Sequence, residues 1–232
     1  MIISDARLVG RDEDGLLECA PGQRLAVPAA EALALLQRDA REAGFELAVA
    51  SAFRSFDRQL QIFNAKASGE RPVHDAAGRT LDIGSLSESQ RLHAILRFSA
   101  LPGTSRHHWG TDLDVYDARA LPQGYRLQLS PAEVAPGGMF DGLHRWLDQR
   151  MADDASHGFY RPYAADHGGV APAPRPPRPA PRASRCEPRL TPAALRAAWS
   201  GVELALRERV EDALEAIFDR YVSVPQDWGP AG

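Results

Sequence analysis

The sequence predicts an α+β fold, in which short strands are interspersed with helices and a long helix lies near the C-terminus. Apolar residues recur at helical spacing between residues 28 and 43. The next segment, residues 45–50, alternates between apolar and other residues in the manner of a half-buried strand. Apolar residues at steps of three and four return in residues 191–222, which therefore favour a long amphipathic helix.

The composition is that of one sizeable domain, with or without a small appendage. The chain has 232 residues and a formal net charge of −4, so it offers no broad basic surface for nucleic acid. Its two cysteines, Cys19 and Cys186, lie far apart and do not form a disulfide framework or a C-x-x-C metal motif. A bound metal would therefore need histidine and carboxylate ligands.

The first residues do not have the pattern of a secretory signal, because acidic residues appear early and no long apolar run follows a basic start. No stretch approaches the roughly 20 consecutive apolar residues of a membrane span. We therefore predict a cytoplasmic protein that has no membrane span.

The helices before the C-terminal segment carry recognisable start and stop signals. Pro28 suits the first position of one helix, and Gly44 suits the cap after it. Ser87 and Gln90 form a possible capping box for another. Residues 1–27 are predicted to form short strands and turns. The other predicted elements are a helix over 56–67, a loop over 68–84, a helix to about 99, a long connection over 117–137, a helix through Leu143 and Leu147, and a strand over 158–161.

Two histidines outside the main motif fall on these predicted helices. His93 adjoins the apolar stripe of its helix, and we interpret it as a structural or surface residue. His144 stands beside Arg145 and is predicted to be exposed.

The densest group of candidate functional side chains lies in residues 102–115. Asp112 and Asp114 are two residues apart, so in a strand both would point to one face. His107 precedes them in a turn, where Gly110 permits the backbone to bend back. An imidazole and a carboxylate presented in this way could be two ligands of a zinc ion, although a polar surface turn would have the same composition.

The pattern Ser105-x-His107-x-x-Gly110-x-x-x-Asp114 resembles the zinc motif of the VanY-related D-alanyl-D-alanine carboxypeptidases. The segment Ser51–Gln59 resembles an upstream block of the same family, and the resemblance covers roughly residues 25 to 172. It implies the Hedgehog/DD-peptidase-like fold, with a small antiparallel sheet flanked by helices. It also implies a zinc metallo-carboxypeptidase that acts on peptidoglycan-derived peptides, a substrate that would favour the periplasm or cell envelope.

The resemblance also implies roles for individual residues. His107 and Asp114 correspond to two Zn²⁺ ligands, and Arg54 corresponds to the catalytic cation that pairs with an oxyanion or a terminal carboxylate. Ser105 and Asp112 would orient a ligand or bind substrate. His108 is either a neighbour of the site or a surface residue.

The family's third zinc ligand and general base stand together in a Glu-Pro-Trp-His block. The matching positions of this chain hold Ala173-Pro174-Arg175-Pro176, and neither alanine nor proline can perform those functions. Three explanations are open. The chain is a degenerate member that binds without hydrolysis, other residues have taken over, or the local sequence reflects a reading-frame slip. The candidate replacements are His157 or His167 together with Asp166 or Glu187.

The chain thus divides into a peptidase domain over residues 1–172, a Pro/Arg-rich linker over 173–190 and an amphipathic helix over 191–222. The helix would dock on the domain or self-associate. The first functional hypothesis is a zinc-dependent D-alanyl-D-alanine carboxypeptidase. The second is a non-catalytic muropeptide-binding protein, and an endolysin-like L,D-peptidase is a third option with similar chemistry.

Overall fold

A computed structural model describes residues 4–75, 78–161, 178–179 and 189–222 of the chain. Nine α-helices, α1 to α9, occur within these ranges. They are Asp5–Leu8, Val27–Glu42, Phe56–Ser68, Glu88–Leu96, Pro131–Val134, Asp141–Ala152, Pro192–Ala198, Arg207–Asp212 and Leu214–Ile217. Short 3₁₀ helices lie at Ile83–Ser85 and Arg106–Trp109, and a π-helical turn lies at Phe218–Val222. None of the helices in the described ranges is both long and apolar enough to cross a bilayer.

The strands form three antiparallel pairs. The six strands, β1 to β6, are Leu16–Ala20, Gln23–Ala26, Leu47–Ser51, Asp114–Asp117, Phe159–Tyr160 and Arg178–Pro179. Strand β1 pairs with β2, β3 with β4, and β5 with β6. The predicted α+β class, with small antiparallel sheets among helices, is confirmed.

Capping interactions are present at two helices before the site, and the one at α4 was predicted from the sequence. The Ser55 hydroxyl accepts a hydrogen bond from the Arg58 amide at the start of α3, and Gly69 ends that helix in the left-handed region, at φ +87°. At the start of α4, Ser87 and Gln90 form the predicted capping box. These caps fix where α3 begins, immediately after the segment that carries Arg54.

Two apolar clusters lie on either side of the segment that contains the zinc-like motif. The first joins α1, α3 and α4 to the C-terminal helices, and its large members include Phe56, Phe63, Leu92, Ile95, Trp109, Leu195, Trp199, Val210, Leu214 and Ile217. The second joins α2, α6 and the β3–β4 pair, and its members include Leu25, Leu33, Leu36, Leu113, Val115, Leu143, Leu147 and Phe159. Trp109 belongs to one cluster and Leu113 to the other, so the motif is anchored on both sides.

The prediction of one long C-terminal helix is wrong. The segment forms three short helices, because Gly201 and Leu206 adopt left-handed conformations, at φ +70° and +56°, that no continuous helix can contain. The apolar side chains nevertheless reach the interior, and Leu195, Trp199 and Val210 are fully buried. The segment therefore docks on the rest of the chain, one of the two predicted alternatives, and its apolar residues belong to the first cluster.

The predicted linker falls almost wholly outside the described residues. Two of its members, Arg178 and Pro179, form β6 and pair with β5. Proline has no backbone N–H to donate, and it is compatible with β6 because, within the described part of the chain, this short strand has a neighbour on one side only.

Candidate metal and peptide site

His107 lies in the 3₁₀ turn between the two apolar clusters, and the turn ends at Gly110 in the left-handed region. The residue is 7% exposed. Its Nδ1 atom is 2.8 Å from the carbonyl oxygen of Ala52, at the end of β3. Because a carbonyl oxygen can only accept, Nδ1 carries a proton, and Nε2 is the nitrogen that can bind a metal when it is deprotonated. This arrangement is the usual one for a metal-binding histidine.

Two carboxylates face that Nε2 atom. The Oδ2 atom of Asp112 is 3.7 Å away, and the Oδ2 atom of Asp114 is 3.6 Å away. Leu113 and Val115 point instead into the second apolar cluster. The alternation read from the sequence is therefore present, although β4 begins only at Asp114.

The imidazole of His107 and the carboxylates of Asp112 and Asp114 are ligand types that zinc accepts. A nitrogen and an oxygen that both bind a tetrahedral zinc ion at about 2.0–2.2 Å are about 3.4 Å apart. The distances from Nε2 to the two carboxylates are close to that separation. Within the described ranges, however, no group of three or more His, Cys, Asp or Glu side chains has the geometry of a complete metal site. The residues present can therefore supply part of a coordination shell.

Arg54 follows β3, and its guanidinium is held in a fixed position. It donates to Gln59 Oε1 at 3.0 Å and to Ser51 Oγ at 3.2 Å. Gln59 is fully buried and donates in turn to the carbonyl of Ala100 at 2.7 Å. Since Ser51 is the β3 residue opposite Asp114, these contacts keep the cation at the end of the sheet where the carboxylates lie.

His108 has a structural role that the sequence did not predict. Its ring is completely buried; Nδ1 donates to the Arg54 carbonyl at 2.6 Å, and Nε2 accepts from the Gly103 amide at 3.2 Å. Burial, together with the charge of the neighbouring Arg54, lowers the pKa of His108 to about 3. A neutral His108 therefore holds the backbone of Arg54 against the turn that contains His107.

Ser105 and Arg106 complete the turn. Ser105 is buried and its carbonyl accepts from the His108 amide at 3.0 Å. The Arg106 guanidinium donates to the Tyr160 hydroxyl at 3.0 Å and lies 5.0 Å from the centre of the Trp109 ring. These contacts tie the turn to β5, the last described strand before the segment in which the family's third ligand is expected.

The remaining described histidines lie elsewhere. His157 contacts Asp39, which also pairs with Arg150. His157 is therefore engaged elsewhere and does not supply the third ligand beside His107 and Asp114. His93 contacts the Tyr221 hydroxyl at 3.0 Å and is structural, one of the two roles predicted for it. His144 is buried against Arg161, at 3.0 Å, so the prediction that it is exposed is wrong. The sequence pattern around His144 could not predict this burial, because it depends on the contact with Arg161, 17 residues along the chain.

The other candidates fall outside the described residues. They are Asp166, His167, Glu187 and the positions 173–176 that match the family's Glu-Pro-Trp-His block.

Comparisons with known proteins identify the family and the fold of this chain. A family model described as VanY, D-alanyl-D-alanine carboxypeptidase, matches residues 22–173. Two proteins of Haemophilus influenzae, both described as uncharacterized, are similar in sequence. One is 49% identical over 77 residues, which are 33% of this chain and 53% of that protein. The other is 32% identical over 125 residues, 53% of this chain and 92% of that protein. This chain thus spans about half of the first relative and nearly all of the second.

Two solved structures share the fold. VanYB in complex with D-alanine-D-alanine superposes with a TM-score of 0.50 at 21% identity, over 86% of this chain and 90% of that one. The LdcB LD-carboxypeptidase superposes with a TM-score of 0.50 at 21% identity, over 84% of this chain and 82% of that one. At this identity the likeness establishes the fold.

Proposed function

The chain belongs to the VanY D-alanyl-D-alanine carboxypeptidase family, and from that membership we propose a zinc-dependent carboxypeptidase-type protein that acts on peptidoglycan peptides ending in D-alanyl-D-alanine. The observation that supports the proposal is the convergence of His107 Nε2 with the carboxylates of Asp112 and Asp114, at 3.7 and 3.6 Å. A zinc ion bound to Nε2 in place of a proton would balance the two carboxylate charges.

In this proposal His107 and Asp114 hold the zinc ion. The ion, when bound, lowers the pKa of a water molecule to about 7 and polarises the scissile carbonyl. Arg54 binds an oxyanion or the terminal carboxylate of the peptide, because its guanidinium stays charged and forms paired hydrogen bonds. Gln59 and Ser51 hold that guanidinium in place. Asp112 and Ser105 support the ligands or contact the substrate.

A second candidate function is peptide binding without hydrolysis. It is favoured by the residues at positions 173 and 176, where alanine and proline replace the family's base and third ligand. Two ligands are fewer than the three protein ligands of catalytic zinc sites. We therefore propose a weakened site whose cleft still binds muropeptides. The experiment below also detects slow hydrolysis.

Metal content and turnover decide between these functions. The purified chain, supplied with zinc, would be incubated with a peptide ending in D-alanyl-D-alanine, while released D-alanine and peptide affinity are measured together. Release of D-alanine that disappears in a His107→Ala variant supports the carboxypeptidase. Peptide affinity without release supports the binding protein. A second peptide would end in a single D-alanine that follows an L-configured residue. Faster cleavage of this peptide than of the D-alanyl-D-alanine peptide would show an L,D-peptidase instead. Absence of both affinity and release would contradict the proposal.

A further inference from the structure

A groove of about 390 Å³ adjoins Arg54 at the end of β3. Its walls include Ser51, Phe53 and Arg54, so it shares two residues with the candidate site. Three guanidinium groups and one carboxylate line it; these belong to Arg24, Arg54, Arg58 and Glu13. The groove is therefore cationic, while the whole chain carries a formal net charge of −4.

Backbone pairing places Arg24 beside the segment that carries Arg54. The Phe53 amide donates to the Arg24 carbonyl at 2.9 Å, and the Ala52 amide donates to Gln23 Oε1 at 2.9 Å. At the end of β2, the Ala26 amide donates to the carbonyl of Gly110, in the turn that contains His107, at 2.7 Å. Strand β2 thus runs alongside both the groove and the turn.

The Arg24 guanidinium is held by two contacts at the groove wall. It pairs with Glu13 at 2.5 Å and lies 5.8 Å from the centre of the Phe53 ring. Both members of the ion pair are about two-fifths exposed, so an anion from solution can compete with Glu13 for the guanidinium. The groove accordingly holds a preoriented arginine whose present partner is a solvated carboxylate of the chain itself.

We propose that this groove binds a second carboxylate of the peptide, on a residue that precedes the terminal D-alanyl pair. The inference rests on the proposed function, in which Arg54 serves the terminal end of the same peptide. Arg24 and Arg58 then select peptides that bear an additional acid, through charge-assisted hydrogen bonds across the groove from Arg54. The substrate class is a doubly acidic peptide that ends in D-alanyl-D-alanine.

Matched peptides test this selectivity. In one pair, a γ-linked glutamyl residue carries either a free α-carboxylate or the corresponding carboxamide. In a second pair, the residue immediately before the D-alanyl pair has a side chain that ends in a carboxylate or lacks it. The two pairs distinguish the possible positions of the acid. Dissociation constants would be measured by calorimetry at pH 7 and low ionic strength, or as KM where a peptide is cleaved.

Two variants should change the preference for the acidic peptide in opposite directions, and a third variant is a control. The wild type should prefer the acidic member of one pair by at least about threefold, the size expected of one half-exposed ion pair. Arg24→Gln should remove most of that preference, whereas Glu13→Gln should increase it, because the competing carboxylate is gone. Arg38→Gln is the matched control, since Arg38 is 58% exposed on α2 and lies outside the groove. It should leave the preference unchanged.

Three results would overturn the inference. Equal binding of both members of both pairs by the wild type, or an undiminished preference in Arg24→Gln, would show that the groove does not read a second acid while the proposed function stands. If none of the four peptides binds, the proposed function fails, and the inference fails with it.

Discussion

Two adjacent imidazoles of the same turn have different roles because the backbone fixes their protons. His107 donates through Nδ1 to Ala52 and turns Nε2 towards the carboxylates. His108 uses both nitrogens on backbone groups, those of Arg54 and Gly103. Only the first ring can therefore bind a metal, and the second positions the backbone next to it.

Gly10 provides the space that His108 needs. A Cβ atom there would lie 2.3 Å from His108 Nδ1, and the residue has φ +82°. We expect Gly10→Ala to destabilise the chain by about 2–4 kcal/mol, through left-handed strain and overpacking together. Chemical denaturation measures this loss. Gly15→Ala is the matched control, because Gly15 has φ +73° and nothing within 4 Å. Equal losses in the two variants would mean that the contact with His108 contributes nothing.

His144 makes stability depend on pH. Burial lowers the pKa of His144 to about 4, and the charge of Arg161 contributes to the shift. The unfolded chain binds a proton on this imidazole near pH 6.5, whereas the folded chain does so only near 4. Stability is therefore full above about 6.5 and falls as the pH drops to about 4, by at most about 3 kcal/mol.

A His144→Gln variant isolates this contribution, because glutamine retains an acceptor for Arg161. The free energy of unfolding of the wild type should decline more steeply than that of the variant between pH 6.5 and 4. The two curves should run parallel above and below that window. Parallel curves throughout would show that His144 is not protected from protonation in the folded chain.

At the scale of elements, the pairing of β3 with β4 brings the site together. The register sets Ser51 opposite Asp114 and Val49 opposite Val115, with an irregularity between the two pairs. A shift of one residue would turn Asp114 away from His107 and expose Val115. The buried Val115 and Leu113 therefore fix the register that the site requires.

The C-terminal helices belong to the core on which the turn rests. Trp199 is fully buried, and its Nε1 donates to the Pro102 carbonyl at 2.9 Å, just before the motif. We expect Trp199→Ala to cost about 3–5 kcal/mol and to lower the affinity for zinc as the turn loosens. Trp199→Phe, which keeps most of the ring and loses the hydrogen bond, should cost less. A loss below about 1 kcal/mol in Trp199→Ala would show that this segment is not part of the cooperative unit.

For the whole molecule, the sequence predicted those features that depend on local spacing. Helices α2 and α4 follow the predicted caps and periodicity, α3 follows the predicted range, and the nearness of His107 to Asp114 follows from a turn and a two-residue repeat. The burial of His108 and His144 could not be predicted, because it depends on Gly10 and Arg161 at other points of the chain. The single C-terminal helix was wrong because Gly201 and Leu206 take left-handed conformations for which its apolar periodicity gave no signal.

Restoring the family's missing side chains tests whether the present site is weakened. In an Ala173→Glu and Pro176→His double variant, we expect higher zinc affinity and faster release of D-alanine than in the wild type, since a third ligand and a base are supplied. Ala173→Gln with Pro176→Ala is the matched control. A double variant that gains neither zinc affinity nor turnover would contradict the assignment of those positions.

The most direct test of the central claim is the zinc content of the purified chain, measured by elemental mass spectrometry after dialysis against a low concentration of zinc. The account predicts about one zinc ion per chain in the wild type and none in His107→Ala. His74→Ala is the matched control and should keep about one zinc ion, because His74 is exposed and lies outside the site. Circular dichroism would confirm that the variants are folded. A zinc-free wild type, or an unchanged zinc content in His107→Ala, would contradict the claim that His107 and Asp114 form a metal site.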